Sequence, residues 1–153
     1  MRNKKITIYK WTTIIPLWLS FAACAPNAAI TKITSLDVPK AIGPYSHAIK
    51  AGNLIFCSGQ LGLLPVTGEL SGHEVESQTR QSILNIKSIL KSAGSDLSKV
   101  TKVTIFLTDM ADYATVNRVY SEYFTNNPAR STVQVAKLPK NGLVEIECIA
   151  IVH

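Results

Sequence analysis

The sequence predicts an α+β fold in which one sheet is covered on one face by two helices. Three observations lead there. Strand-like and helix-like segments follow the order ββ(β)αβαββ, each helix falls between strands, and no glycine-rich phosphate loop occurs. A chain of 153 residues, 46% hydrophobic and without a sustained charge run, fits one such domain and leaves no room for a second. No internal repeat is present.

Ser46 to Ala51 and Leu54 to Ser58 are apolar-rich segments flanking Gly52-Asn53, a pair suited to a tight hairpin turn. Pro65 and Thr67-Gly68 punctuate the next stretch. His73 to Ala93 then reads as a helix, with Ile83, Ile86 and Leu90 on one face, Lys87 and Lys91 off it, and Gly94 as its stop. Val100 to Thr108 sets Val103, Ile105 and Leu107 against Lys102 and Thr104, the alternation of a half-buried strand. Asp112 is placed to cap a second helix, where Tyr113, Val116, Tyr120 and Phe124 share a face and read as core. Ser131 to Leu138 and Leu143 to Val152 close the fold as two strands around Pro139-Lys140-Asn141-Gly142, the expected turn of a final hairpin.

The first 24 residues have a different character. Arg2, Lys4, Lys5 and Lys10 precede an apolar run from Trp11 to Ala23, too short to span a bilayer and of the length of a secretory signal. Phe21-Ala22-Ala23-Cys24 resembles a lipobox with Phe in place of the usual Leu. The expectation is an export signal over 1–24, a linker over 25–36 and a globular domain over 37–153. Acylation of Cys24 would tether an exported, periplasmic domain to a membrane; cleavage by a general signal peptidase would leave it soluble.

The formal charge of +6 is misleading. Four of the sixteen Lys and Arg residues lie in the first ten positions, so residues 25–153 hold twelve against ten Asp and Glu, a net +2 that gives nucleic-acid binding no support. His47, His73 and His153 are widely separated and no Cys-x-x-Cys occurs, so no metal site is expected. Cys57 and Cys148 each lie in an apolar segment, either as small buried residues or as a disulfide pair.

The residues that suggest chemistry are Arg130, in Pro128-Ala129-Arg130-Ser131, and Glu145, in Val144-Glu145-Ile146-Glu147. A guanidinium is always charged and offers a planar fork of donors matched to a carboxylate. A lone strand-end arginine is otherwise merely solvated or salt-bridged.

From about Val38 to Val152 the chain resembles the Rid proteins, also called the YjgF family, of reactive-intermediate deaminases. Six blocks carry the resemblance, in order: Ala41-Ile42-Gly43-Pro44-Tyr45-Ser46, Ser58-Gly59-Gln60, Gln78-Thr79-Arg80-Gln81, Phe106-Leu107-Thr108-Asp109-Met110, Val116-Asn117, and Pro128-Ala129-Arg130-Ser131 through Glu145-Ile146-Glu147. It implies a chorismate-mutase-like α+β fold, a homotrimer with an inner barrel and sites between subunits, and no cofactor. The implied reaction is hydrolysis of 2-imino acids and enamines, such as 2-aminoacrylate or 2-iminobutanoate, to 2-keto acids and ammonia.

The resemblance also implies that Arg130 holds the substrate carboxylate, that Glu145 positions or activates water, and that Tyr45, Ser58, Gly59 and Asn117 line the site. Tyr45 alternatively packs its own turn, and Asn117 is alternatively solvated. Thr132, read as a further substrate-binding position, stands where several members have cysteine, which argues against a thiol nucleophile. His47 stands where glutamine is frequent, a difference bearing on substrate preference. Two other functions compete: a carboxylate-binding or chaperone-like module without turnover, and an RNA-cleaving protein. Retention of both Arg130 and Glu145 favours the enzyme.

The expected final hairpin has a geometric consequence. With Lys140 and Asn141 centring the turn, Arg130 and Glu145 would share one face about 20 Å apart, too far to hold one small acid within a chain. A neighbouring subunit would then supply the second residue, unless a bulge or a longer loop breaks the register.

Overall fold

The computed structural model describes residues 29–152; the expected export signal with Cys24 lies outside them. The elements are β1 Ile30–Ile33, β2 Ala48–Ala51, β3 Leu54–Leu61, α1 Val75–Ser92, β4 Val100–Leu107, α2 Tyr113–Tyr123, β5 Ala129–Gln134 and β6 Val144–Ile151. All six strands form one sheet in the order β1-β2-β3-β6-β4-β5. Every pairing is antiparallel except β4 with β5, which is parallel. Both helices pack on the same face, which is the expected α+β arrangement.

The core explains why the helices lie there. Val103, Ile105 and Leu107 of β4 and Val144, Ile146 and Ala150 of β6 point to the helix side with 2% exposure or less, against Ile83, Ile86, Ile89 and Leu90 of α1. Burying each of these Val, Ile and Leu side chains is worth about 1.5–3 kcal/mol. Helix α1 has Glu76 in its first turn and Lys91 in its last, each favourable to the helix dipole. The helix gives way at Ala93, and Gly94 follows at φ +79°, a left-handed conformation that glycine adopts without steric cost.

The final strands differ from expectation. β5 and β6 do not form a hairpin: β5 runs beside β4, while β6 is inserted between β3 and β4. The physical reason lies in their composition. Alternate β6 residues Val144, Ile146, Cys148 and Ala150 are buried and the strand is paired on both edges, whereas β5 is largely exposed and takes the sheet edge. Helix α2 provides the crossover that parallel β4 and β5 require. Residues 135–143 bridge from the edge strand to the interior, with Lys140 at φ 55° and Asn141 at φ 57° in the turn.

Two smaller differences concern ends. The expected linker is structured from Ile30, since β1 pairs with β2 and the Ser35 N–H donates to His47 Nδ1 at 3.2 Å. Asp112 stands at the start of α2 without a side-chain cap bond; Asp109 instead accepts from Ala111 N at 2.8 Å.

Candidate active site

β3 is interrupted where it matters. Its register against β6 pairs Cys57 with Cys148 and then Gln60 with Ile146, so Ser58 and Gly59 together oppose Glu147 alone. This bulge bends the strand beside Glu145. A Cβ on Gly59 would collide with the Glu145 carboxyl group, coming within 2.7 Å of Cδ. Glycine is therefore required here by the close approach of the carboxylate.

Glu145 shares a cavity with Gly59, Tyr45, His47, Ile42 and Pro139. Burial, and then the negative charge of Glu147, push its carboxyl group above the usual glutamate range. It keeps a proton to higher pH than a solvated glutamate, as suits a group that both accepts and returns one.

The cavity is held from two sides. His47 is buried; its Nδ1 accepts from Ser35 N, which leaves Nε2 to donate to the Pro39 carbonyl at 3.0 Å. One ring thus fixes the segment leading to Tyr45. From the helix side, Ser82 Oγ donates to the Gln60 carbonyl at 2.6 Å, and Asn85 Nδ2 donates to the carbonyls of Leu61 and Leu63 at 3.2 and 2.9 Å. Gln78 accepts from Leu143 N at 2.8 Å and donates to the Gly72 carbonyl at 2.9 Å. Gln78, Ser82 and Asn85 are at most 1% exposed, so this helix face is a polar seam between α1 and the backbone around Glu145. The sequence signal for it is the helical spacing of three uncharged polar residues, which the apolar face obscured.

Tyr45 is 45% exposed and packs its own turn: its hydroxyl accepts from Ile42 N at 3.3 Å and its N–H donates to the Gly43 carbonyl at 2.9 Å. Its ring still lines the Glu145 cavity. Ser58 commits its hydroxyl proton to the Ser46 carbonyl at 2.8 Å, which ties the bulge to the start of β2.

Arg130 belongs to a second cavity, shared with Asn117, Tyr120, Ser121, Asn127 and Pro128. Its guanidinium carbon sits 4.7 Å from the Tyr120 ring centroid and 5.8 Å from that of Tyr113, and Nη2 donates to the Tyr113 hydroxyl at 3.3 Å. Sequence reasoning placed these tyrosines in the core; Tyr120 is buried, but both also form an aromatic seat for the cation. Burial pushes the Tyr120 hydroxyl up to about 12, so it stays protonated.

Among the described residues Arg130 has no carboxylate partner. Arg80 and Arg118, by contrast, are both paired with Glu76 and Glu122 across α1 and α2. Thr132 follows on the same side of β5, and its Oγ1 is buried without a hydrogen-bond partner.

The register separates the two cavities. Arg130 pairs with Val103 and projects to the helix side, while Glu145 pairs with Phe106 and projects to the other face. With β4 between them and three residues of offset along it, the two Cα atoms are about 14 Å apart. The single shared face expected from a final hairpin is thus replaced by opposite faces, because β6 is not the neighbour of β5. The structure gathers Glu145, Gly59 and Tyr45 in one cavity and Arg130 and Asn117 in another, while Ser58 and Thr132 line neither. Among the described residues no cluster of three His, Cys, Asp or Glu side chains could hold a metal ion.

Comparison with known proteins is consistent across sequence and fold. Residues 35–152 match the family model described as Endoribonuclease L-PSP. The chain is 46% identical over 146 residues to Reactive Intermediate Deaminase A, chloroplastic, of Arabidopsis thaliana, covering 95% of this chain and 78% of that protein. It is 48% identical to the bovine (Bos taurus) 2-iminobutanoate/2-iminopropanoate deaminase, covering 78% and 88% of the two chains. The Escherichia coli TdcF structure with bound serine superposes with a TM-score of 0.77 at 41% identity, covering 80% of this chain and 99% of that one. Motifs, fold and relatives agree that the chain belongs to the Rid (YjgF) family.

Proposed function

We propose that this protein hydrolyses 2-imino acids, and the enamines that tautomerise to them, to 2-keto acids and ammonia. The carrying observation is Arg130: it is an aromatic-seated guanidinium with no acidic partner among the described residues, while both other arginines there are paired. Its free fork suits a carboxylate, with charge-assisted hydrogen bonds worth roughly 1.5–3 kcal/mol. The names of the Arabidopsis and bovine relatives support the reaction, and the serine bound to TdcF supports an amino-acid-shaped ligand.

In this reading the carboxylate clamp places C2 of a protonated imine where water can attack. Glu145 takes a proton from that water as the C–O bond forms. It returns that proton to nitrogen as the C–N bond breaks, and the hydroxyl proton lost as the C=O bond forms passes to the departing ammonia, so iminium and water become a keto group and ammonium. Because Arg130 and Glu145 face opposite sides of the sheet, the site joins Arg130 of one subunit to Glu145 of another, in a homotrimer of Rid type. The half-exposed face carrying Phe56 and Val133 is then the inner surface of the assembly. Asn117 and Tyr45 complete the lining, with Ser58 tying down the bulge behind Glu145 and Thr132 following Arg130 on the same side of β5.

The experiment is a coupled assay: an amino-acid oxidase generates imines of several side chains, and keto-acid release is followed with and without the purified protein. Acceleration that needs Arg130 supports the deaminase. Keto-acid binding that needs Arg130 without acceleration makes the protein a carboxylate-binding module instead.

We further propose export, on the sequence of residues 1–24 alone, with Cys24 as the lipid-bearing residue. Mass spectrometry of the mature N-terminus tests it. A diacylglyceryl Cys24 agrees, and a native Met1 overturns it.

A further inference from the structure

Cys57 and Cys148 are direct cross-strand partners on β3 and β6, at the last paired position before the Ser58-Gly59 bulge. Both are buried, at 6% and 3% exposure, and both point to the helix side. In the same register Val152 N donates to the Asn53 carbonyl at 3.0 Å, marking Asn53 and Val152 as a hydrogen-bonded pair. Such pairs alternate along an antiparallel ladder, so Cys57 and Cys148 are one too. Their Cα atoms then lie about 5.5 Å apart, within the span of a disulfide, while the Cβ atoms of such a pair stand at about 5.5 Å, so the two thiols are free in this structure and closing the bond must draw the strands together.

We propose that Cys57 and Cys148 are a disulfide-forming pair that a disulfide oxidant closes during folding, tying β3 to β6 beside the Glu145 cavity. The exchange balances without another reactant: two protein thiols and one oxidant disulfide give one protein disulfide and two oxidant thiols. A thiolate of one cysteine attacks the oxidant, and the second cysteine displaces the departing oxidant sulfur from the mixed disulfide.

Closure belongs to folding because the finished fold hinders it. The hydrogen bond to Cys57, followed by burial, pushes the Cys148 thiol well above its ordinary range, so the attacking thiolate is scarce. The same burial shields the closed bond from reductant. The bond would fix the register at the base of the bulge, where Gly59 must leave room for Glu145. This proposal does not depend on the deaminase reading.

The test refolds the full chain from denaturant in a glutathione mixture rich in the disulfide form, and in parallel in dithiothreitol. Intact mass, a non-reduced peptide map and thermal melting are then compared. The expected results are loss of two hydrogens, a linked peptide joining Cys57 to Cys148, and a Tm higher by roughly 5 to 10 °C. Reductant should reopen the bond rapidly only after unfolding. Free Cys57 and Cys148 thiols after oxidative refolding, a dominant link through Cys24, or an unchanged Tm would each overturn the proposal. The map is made on the unsubstituted protein, so the result does not depend on whether Cys57→Ala folds.

Discussion

Glu145 is positioned by its own chain on three sides: the bulge at Gly59, the His47 clamp and the polar seam of α1. Arg130 has only two tyrosine rings and one 3.3 Å hydrogen bond, on an edge strand. One region is an interior in which the polar groups of the seam are satisfied. The other is a charged surface with unused donors. Under the proposed reaction, the difference teaches that one subunit would preorganise the proton-handling half of the site and present the anion-binding half outward, where a second subunit would meet it.

The largest effect should come from Glu145→Gln, which keeps shape and removes proton acceptance. We expect kcat to fall roughly 100- to 10,000-fold with little change in keto-acid affinity, measured by steady-state kinetics and calorimetry. Arg130→Lys should instead weaken keto-acid binding along with kcat/KM, because an ammonium cannot reproduce the planar fork. Equal losses in binding and turnover for both variants would erase the distinction between the two halves.

Gly59→Ala tests the packing of the interior half. The added methyl group must displace the Glu145 carboxylate, so kcat should drop at least about tenfold while the sheet survives. Next comes Asn85→Ala, which strips donors from the carbonyls of Leu61 and Leu63 and should cost about 1–3 kcal/mol in denaturant unfolding. A neutral result would mean that water replaces the seam.

The smallest expected effect is electrostatic. Since Glu145 titrates above the usual glutamate range and must be ionised to accept a proton, the acid limb of kcat/KM should lie above that range. Glu147→Gln removes the second cause of the shift and should move the limb to lower pH. Stability has the opposite sense: the raised value makes the charged form of Glu145 unfavourable, so its contribution is lost as pH rises through the folded value. Glu145→Gln should therefore gain Tm relative to the unsubstituted protein at neutral pH but not below the unfolded glutamate value.

Much of this was legible in the sequence. The spacing of Ile83, Ile86 and Leu90 and the alternation of Val103, Ile105 and Leu107 located α1 and β4, because burial on one face imposes a period that composition records. The motifs around Ser58-Gly59, Arg130 and Glu145 pointed to residues that line both candidate cavities. Strand partnership was not legible from local periodicity, which says which face a residue takes but not which strand lies beside it. The polarity of Ser131 and Gln134 against the buried alternation in β6 was the available clue that β5 is an edge and β6 is interior. The polar seam of α1 was missed for a related reason: Gln78, Ser82 and Asn85 look solvated until β3 and residues 61–63 are known to lie against them.

The central claim is that a working site joins the Arg130 of one subunit to the Glu145 of another. The direct measurement mixes two inactive proteins, Arg130→Ala and Glu145→Ala, dissociates and reassembles them at equal amounts, verifies mixed oligomers by native mass spectrometry, and assays imine hydrolysis. Each mixed interface in one orientation pairs an intact Arg130 with an intact Glu145, so random assembly should restore about a quarter of the unsubstituted rate. Verified mixed oligomers that remain inactive would contradict the claim and require the two residues to act within one chain or not together.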